Sequence, residues 1–555
     1  MLFSRAHICQ CLNRLLTLRR NSTVTISDER RKSGEQFVES VLSLARKLCQ
    51  LGVCRGHIVA ICAFNSDWYL EWLLAVAYIG GIVAPLNYRW SLEESKVALE
   101  VIQPAMIVTD DCCTWLSELQ NGTMFCPRWH VRIGFHYWSS NGVQKFERPS
   151  LNLQSIKYCW APEDVVIICF TSGSTGKPKG VTISHGSLIV QSLAKIAIVG
   201  YTEDDVYLHT APLCHIGGIS SCLAMLMVGG CHVLLPKFEV KMAVKAIEEY
   251  HVTSFITVPT MLASLVFMIR HNESRKLDLT VKKILNGGGS LSIKLVEDAI
   301  RCFPTAKLLS AYGMTETCSS LTFITIYDPT VNNSNQNPKE ISGIISNSVH
   351  PAGGVCVGKP APHVELLIIK EESSHVGRIM TRGPHVMIRY WSQISAAVID
   401  SGADWFDTGD SGHIDAHGNL WLVGRRNCCI KSGGENVYPE EVEVVLSQHP
   451  AITNVAVIGL PHPHLGEMVV ACVQIRENWI WTDLKVGELP SNVECHLSTS
   501  VLKDYCRQKS LTGFKIPKAF MVWRKPFPLT STGKIKRDQV EAEAMLHLQP
   551  LLSNL

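Results

Sequence analysis

Amphipathic helical patterns alternate with short β-branched runs along most of this 555-residue chain. That alternation restricts the chain to an α/β fold with largely parallel sheets. Residues 37–51 carry apolar side chains at helical spacing, 58–63 read as a strand, 70–78 as a helix and 105–109 as a strand. Farther on, the strand-like run 233–235 precedes a helical segment at 241–250 and another strand at 254–258. Two stretches break the rhythm. Residues 328–352 are rich in Asn, Ser and Pro and read as a surface loop, and 478–498 form a second polar interruption. After Gly424-Arg425-Arg426-Asn427 the polarity rises and a compact α+β segment begins. Two domains are therefore expected, 1–425 and 426–555.

Composition narrows the function classes. Apolar residues make up 46% of the chain and charged residues 18%, which supports a large core and argues against disorder. A net charge of +3 with no long basic run gives no reason to expect a nucleic-acid partner. The 21 cysteines are odd in number and mostly set in apolar segments, as small hydrophobes are in a reducing compartment. Cys9-Gln10-Cys11 and Cys428-Cys429 lack partners at zinc spacing. No membrane span is expected, because the longest apolar region, 68–85, is interrupted by Glu71, Gly80 and Gly81. The first 27 residues contain no Asp or Glu but carry Arg5, Arg14, Arg19 and Arg20. They read either as an organelle transit segment or as an amphipathic helix built on Ile8, Leu12, Leu15 and Leu16.

The chemistry starts where the apolar run 165–170 stops, at Thr171-Ser172-Gly173-Ser174-Thr175-Gly176-Lys177-Pro178-Lys179-Gly180. Small residues at a strand end free backbone N–H groups to converge on an anion, and glycines allow close approach of phosphate. Lys177 and Lys179 add positive charge. The pattern is not a Walker A loop, because Thr171 replaces the first glycine and Pro178 the required Ser or Thr. A flexible polar turn has the same composition.

Further motifs follow in order: Ala211-Pro212-Leu213-Cys214-His215-Ile216-Gly217-Gly218, Asn286-Gly287-Gly288-Gly289, Ala311-Tyr312-Gly313-Met314-Thr315-Glu316, and Asp407-Thr408-Gly409-Asp410. Ile430-Lys431-Ser432-Gly433-Gly434-Glu435 and Pro528-Leu529-Thr530-Ser531-Thr532-Gly533-Lys534 complete the set. Over essentially the whole chain this series resembles the adenylate-forming superfamily of acyl-CoA synthetases and luciferases. The resemblance implies a large N-terminal adenylation domain of layered sheets and helices and a small mobile α+β C-terminal lid. It implies ATP, Mg²⁺ and coenzyme A as cofactors and co-substrates, with a small carboxylic acid as the partner substrate.

By that resemblance Thr171, Ser172, Gly173, Ser174, Thr175, Gly176 and Lys177 hold phosphate. Gly287, Gly288 and Gly289 let adenine lie against the backbone, with Tyr312 stacked on it and Gly313 beside. Thr315 contacts the α-phosphate, Glu316 holds Mg²⁺, and Asp410 with Arg425 takes the ribose hydroxyls. Lys534 is the adenylation lysine. Lys431, Gly433 and Gly434 belong to the loop that completes the thioester-forming site. His215, Gly217 and Gly218 border the acyl pocket. Singly, these features have plain structural counterparts: a tight glycine turn, a core histidine, a solvated basic tail. One departure stands at the hinge, where the family usually has Asp or Lys and this chain has Asn427, followed by Cys428 at an often acidic position.

The longer segments Phe64-Asn65-Ser66-Asp67, 84–94 and 232–238 resemble family members that act on 2-succinylbenzoate in phylloquinone biosynthesis. Another aromatic or medium-chain acid, or a standalone amino-acid adenylation module, are the alternatives. The unreacting carboxylate of such an acid needs a cation, for which Lys237 is the candidate; a solvated loop lysine has the same context. The chain ends Ser553-Asn554-Leu555, similar to the Ser-Lys-Leu peroxisomal address. A peroxisomal import receptor is the implied partner, and peroxisome and/or chloroplast the expected location.

Overall fold

The computed structural model describes residues 6–111, 113, 127–133, 157–172, 178–271, 280–332, 354–370, 376–392, 405–425, 428–432, 435–462, 465–482, 496–509, 511, 513–530 and 533–552. Most of the surface loop expected at 328–352, and of the polar stretch 478–498, lies outside them.

Among the described residues, two sheets build the large domain. The first has six strands in the order Trp129–Arg132, Met106–Thr109, Ile58–Cys62, Ile82–Pro85, Val165–Ser172, Pro178–Ser184. All neighbours are parallel except the last pair, an antiparallel hairpin. The second holds thirteen strands among the described residues. Its parallel block runs Lys307–Met314, Lys283–Asn286, Ser254–Thr257, Val206–His209, Cys231–Leu234, Thr23–Ser27. Antiparallel strands extend the other end, from Ser319–Tyr327 to Leu420–Arg425 and beyond.

Helices fill the space between. The Ile216–Val228 helix is apolar on nearly every side, and a helix of that kind has to be buried. One face packs with Val59, Ile61 and Val166 of the first sheet. The other packs with Tyr207, Leu285 and Leu309 of the second. The Gly34–Gln50 helix shows how sequence sets a boundary. Ser33 Oγ accepts from Gln36 N at 3.3 Å and Gln36 Oε1 accepts from Ser33 N at 2.9 Å, so two N-terminal donors are satisfied reciprocally. Its Phe37, Val38, Val41, Ala45 and Leu48 are then turned into the core.

The amphipathic helix expected at the N-terminus runs Gln10–Leu18. Leu12 and Leu15 are fully buried and Cys11 and Leu16 nearly so. At about 1.5–3 kcal/mol for each large apolar side chain removed from water, the segment is part of the core. No helix among the described residues is long and apolar enough to cross a membrane.

The small domain has its own sheet, Glu435–Val437, Ile430–Ser432, Gly466–Ile475, Ile452–His462, with Ala519–Val522 paired parallel to Gly466–Ile475. Val457, Val469, Ala471 and Leu502 form part of its separate core. The chain leaves the large domain's sheet at Arg425 and enters this one at Ile430. The hinge position Asn427 falls between them, outside the described residues.

Candidate active site

A cleft of about 2580 Å³ opens between the two domains. Part of its wall is the ends of the parallel strands, where α/β sheets bind ligands, and part comes from antiparallel strands and the small domain. The Val165–Ser172 strand brings Thr171 to it, and Lys179 on the returning strand lies 5.5 Å from the Tyr390 ring. The turn 173–177 lies outside the described residues, as does the side chain of Ser172.

On one wall the Lys283–Asn286 strand runs into the triple glycine. Asn286 is fully buried and donates to Gly289 O at 2.8 Å and Ser310 Oγ at 3.2 Å, which pins the turn. Gly288 has φ +73, a conformation that a side chain would strain. A Cβ on Gly287 would meet nothing within 4 Å, and the next two glycines, Gly288 and Gly289, line the cleft. The neighbouring strand carries Tyr312 and Gly313. A side chain at Gly313 is impossible, because its Cβ would stand 1.7 Å from Ser319 O on the antiparallel partner.

Tyr312 Oη donates to Asp410 Oδ2 at 2.6 Å, and Arg425 Nε lies 3.3 Å from Asp410 Oδ1. Burial raises the Asp410 carboxyl above its ordinary value, while Arg425 and the Tyr312 hydrogen bond pull it down. Burial, with Asp410 adding to it, raises the Tyr312 phenol, which remains a donor. Beyond Tyr312 the strand turns through Thr315–Thr317, closed by Thr317 Oγ1 donating to Met314 O at 3.1 Å. Thr315 lines the cleft, and the buried Glu316 accepts from Tyr390 Oη at 3.0 Å.

Lys534 comes from the small domain. It sits in a tight turn in which Gly533, at φ +81, donates to Thr530 O at 2.9 Å and Thr530 N donates to Lys534 O at 2.7 Å. The turn delivers the ammonium into the cleft, where burial and Arg425 push its pKa down while Asp410, Glu316 and Glu440 hold it up. The small domain is held in this orientation partly through the Pro439–Ser447 helix. A Cβ on Gly424 would lie 2.6 Å from Glu440 Oε2 and 3.1 Å from Tyr438 Cβ, so the two segments approach closely there. Arg537 ties Glu440, at 3.1 Å, and Glu443 to the Lys534 segment. Lys431 lies on a backbone hairpin of the same domain; its side chain, with Gly433 and Gly434, lies outside the described residues.

His215 caps the Ile216–Val228 helix and lines the cleft. Burial, reinforced by Arg89, pushes its imidazole down to about 4, so it is neutral at physiological pH. Asn65 fixes the approach to it, donating to Ala211 O at 3.2 Å and accepting from Leu213 N at 2.8 Å. Gly218 is required by packing, since its Cβ would lie 2.4 Å from Pro212 O; Gly217 has room.

Lys237 departs from expectation. It is exposed and does not line the cleft. The apolar strand ends at Leu234, and Asn65 N anchors Pro236 O at 3.1 Å as the chain passes to the surface, where the ammonium keeps its water. The sequence reading also missed Tyr390, 74 residues along the chain from its partner Glu316, and the pairing of Arg537 with Glu440, 97 residues apart; neither contact has a local pattern.

The segment 16–391 matches the model of the AMP-binding enzyme family, and 441–534 that of the AMP-binding enzyme C-terminal domain. The chain belongs to the AMP-binding enzyme family. It is 52% identical to the chloroplastic/peroxisomal 2-succinylbenzoate–CoA ligase of Arabidopsis thaliana, over 100% of this chain and 99% of that one. It is also similar to o-succinylbenzoate CoA synthetase from Bacillus subtilis. The structure of that enzyme in complex with the acyl-adenylate intermediate superposes with a TM-score of 0.75 at 26% identity, covering 97% of this chain and 99% of that one. Its complex with ATP and magnesium ion gives 0.72 at 25%, covering 95% and 98%.

Proposed function

We propose that the protein is an acid–thiol ligase that joins 2-succinylbenzoate to coenzyme A at the expense of ATP, a step of phylloquinone biosynthesis. The observation that carries this is the end-to-end 52% identity to the plant ligase. The convergence of Lys534, Asp410 and Glu316 in one cleft is in keeping with it.

A carboxylate is a poor acylating agent because oxide is a poor leaving group. Attack of the succinyl carboxylate on the α-phosphorus of ATP expels diphosphate and makes a mixed anhydride. Attack of the coenzyme A thiolate on that carbonyl then expels AMP. The first step concentrates negative charge on phosphate oxygens, which preorganised donors and cations stabilise in a water-poor site. Lys534 is the movable cation, Thr171 and Thr315 are hydroxyl donors, and Lys179 adds charge from the strand wall. Tyr312 and Asp410 orient the nucleoside, the phenol fixing the carboxylate that takes the ribose.

Glu316, steadied by Tyr390 and beside the Thr315 hydroxyl, offers the all-oxygen donor set that suits Mg²⁺ completed by phosphate oxygens. When bound, the ion neutralises charge on the phosphates. Purified protein given ATP, coenzyme A and a panel of acids, read by mass spectrometry, is expected to yield 2-succinylbenzoyl-CoA and AMP in equal amounts. Preference for a different acid would sink the substrate assignment.

The location proposed is peroxisomal, chloroplastic or both, supported by the compartments in the Arabidopsis relative's name. Residues 553–555 follow the Arg537–Leu552 helix and lie outside the described residues. A fluorescent protein fused ahead of the chain is expected to give a peroxisomal fraction that deletion of 553–555 abolishes; signal that survives deletion rules the tripeptide out as an address.

A further inference from the structure

Lys195 ends the His185–Lys195 helix and is fully buried. Its Nζ donates to Ser220 Oγ at 2.6 Å, Ser221 Oγ at 3.0 Å and Ser319 Oγ at 3.2 Å, and stands 3.5 Å from Gly217 O. Every one of these partners is neutral. No described carboxylate forms a salt bridge with it. Fully buried lysines are rare unless paired, because an ammonium without a counter-ion loses its hydration uncompensated. Burial pushes this one down to about 7. An apolar side chain of the same volume would fill the space at less cost to the fold. Neutral hydrogen-bond partners thus hold the amine, and no described carboxylate forms an ion pair to balance its charge.

Its position suggests what the charge is for. Gly217 follows His215, which lines the cleft, by two residues. Ser319 follows Glu316 by three and is held at φ +105, a strained backbone of the kind found at ligand sites. Gly217 and Ser319 are both half-buried, with Lys195 directly behind them. A Cβ built on Gly217 meets only Ile256 Cδ1, at the ordinary contact distance of 3.8 Å, so no backbone blocks this face of the glycine.

We propose that Lys195 is the specificity-determining cation for the acid's second, unreacting carboxylate, which enters between Gly217 and Ser319, accepts from Ser319 Oγ and replaces that hydroxyl as the acceptor of one Lys195 N–H. This rests on the reading of the substrate as 2-succinylbenzoate. The reacting carboxylate meets the α-phosphate near Thr315 and Lys534, and the rest of the acid runs past His215 toward Gly217. The ring carboxylate supplies the missing counter-ion, and its hydrogen bond with Lys195 is charge-assisted at both ends. Lys237, exposed on the surface, has no part in it.

The test compares 2-succinylbenzoate with 4-oxo-4-phenylbutanoate, the same acid without its ring carboxylate. The ratio of the two kcat/KM values is measured for the wild type, Lys195→Met and Lys195→Gln, each checked for folding by thermal denaturation. The ratio is expected to fall roughly 100-fold or more in both variants, the scale on which a buried charge left without its partner is felt. A purely structural lysine lowers both acids by one factor and leaves the ratio unchanged, which overturns the proposal while the substrate reading stands. A wild-type enzyme that prefers the monocarboxylate overturns both together.

A pH series adds an independent readout. The titratable groups facing Lys195 are the Cys318 thiol, on the turn, and the Tyr207 phenol, which adjoins Ser221; burial raises both. Both stay neutral through the neutral range. As pH rises through that range the free enzyme's ammonium loses its proton, so the wild-type ratio is expected to fall with pH. In Lys195→Gln that fall should vanish; its persistence there counts against Lys195.

Discussion

Lys534→Ala is expected to slow acyl-adenylate formation by about 10²–10³-fold, the usual cost of removing one preorganised charge from a developing anion. Thioester formation from supplied acyl-adenylate should be largely spared. The reason is where the ammonium comes from. It enters the cleft on the Thr530–Lys534 turn of the small domain, opposite Asp410 and Glu316, so it serves the half-reaction in which phosphate charge develops. The second half-reaction acts on a carbonyl, and by family resemblance it uses the loop that carries Lys431, Gly433 and Gly434. Single-turnover measurement of adenylate and of thioester separates the two. Equal loss in both, in a folded variant, contradicts this division of labour.

Asp410→Ala is expected to raise KM for ATP by roughly 10–100-fold, from loss of charge-assisted hydrogen bonds worth about 1.5–3 kcal/mol each. Two effects add. The ribose loses its acceptor, and Tyr312 Oη and Arg425 lose the partner that holds them at 2.6 Å and 3.3 Å. An Asp410→Asn variant keeps the shape while removing the charge, and should fall between. Isothermal titration with ATP reads the effect without turnover. ATP affinity unchanged in both variants would remove Asp410 from the nucleotide site.

The glycines were legible because backbone sterics tie them to local sequence. Gly288 has positive φ, and Gly313 faces a partner strand too close for any Cβ. The chain order of Tyr312, Thr315 and Glu316 was legible too, because one strand and its turn carry all three. Lys237 misled because an apolar strand followed by Pro-Lys carries no sign of which way the chain leaves the sheet. That direction is set by Asn65, 171 residues earlier in the numbering, through its bond to Pro236 O.

Sequence by itself determined the α/β class, the two-domain division and the types of residue expected to meet the nucleotide. Periodicity and turn chemistry act over a few residues, and the motifs are short. Tertiary structure decided what depends on distant segments meeting: Tyr312 with Asp410, Glu316 with Tyr390, Arg537 with Glu440. It also decided that the helix Gln10–Leu18 is core and that Lys237 is surface. Above all it decided that Lys195, an ordinary polar residue in a helical pattern, is a buried ammonium among serines from two other elements. Burial and charge pairing are properties of the packed whole, since the desolvation of one side chain is set by neighbours that the chain brings from elsewhere.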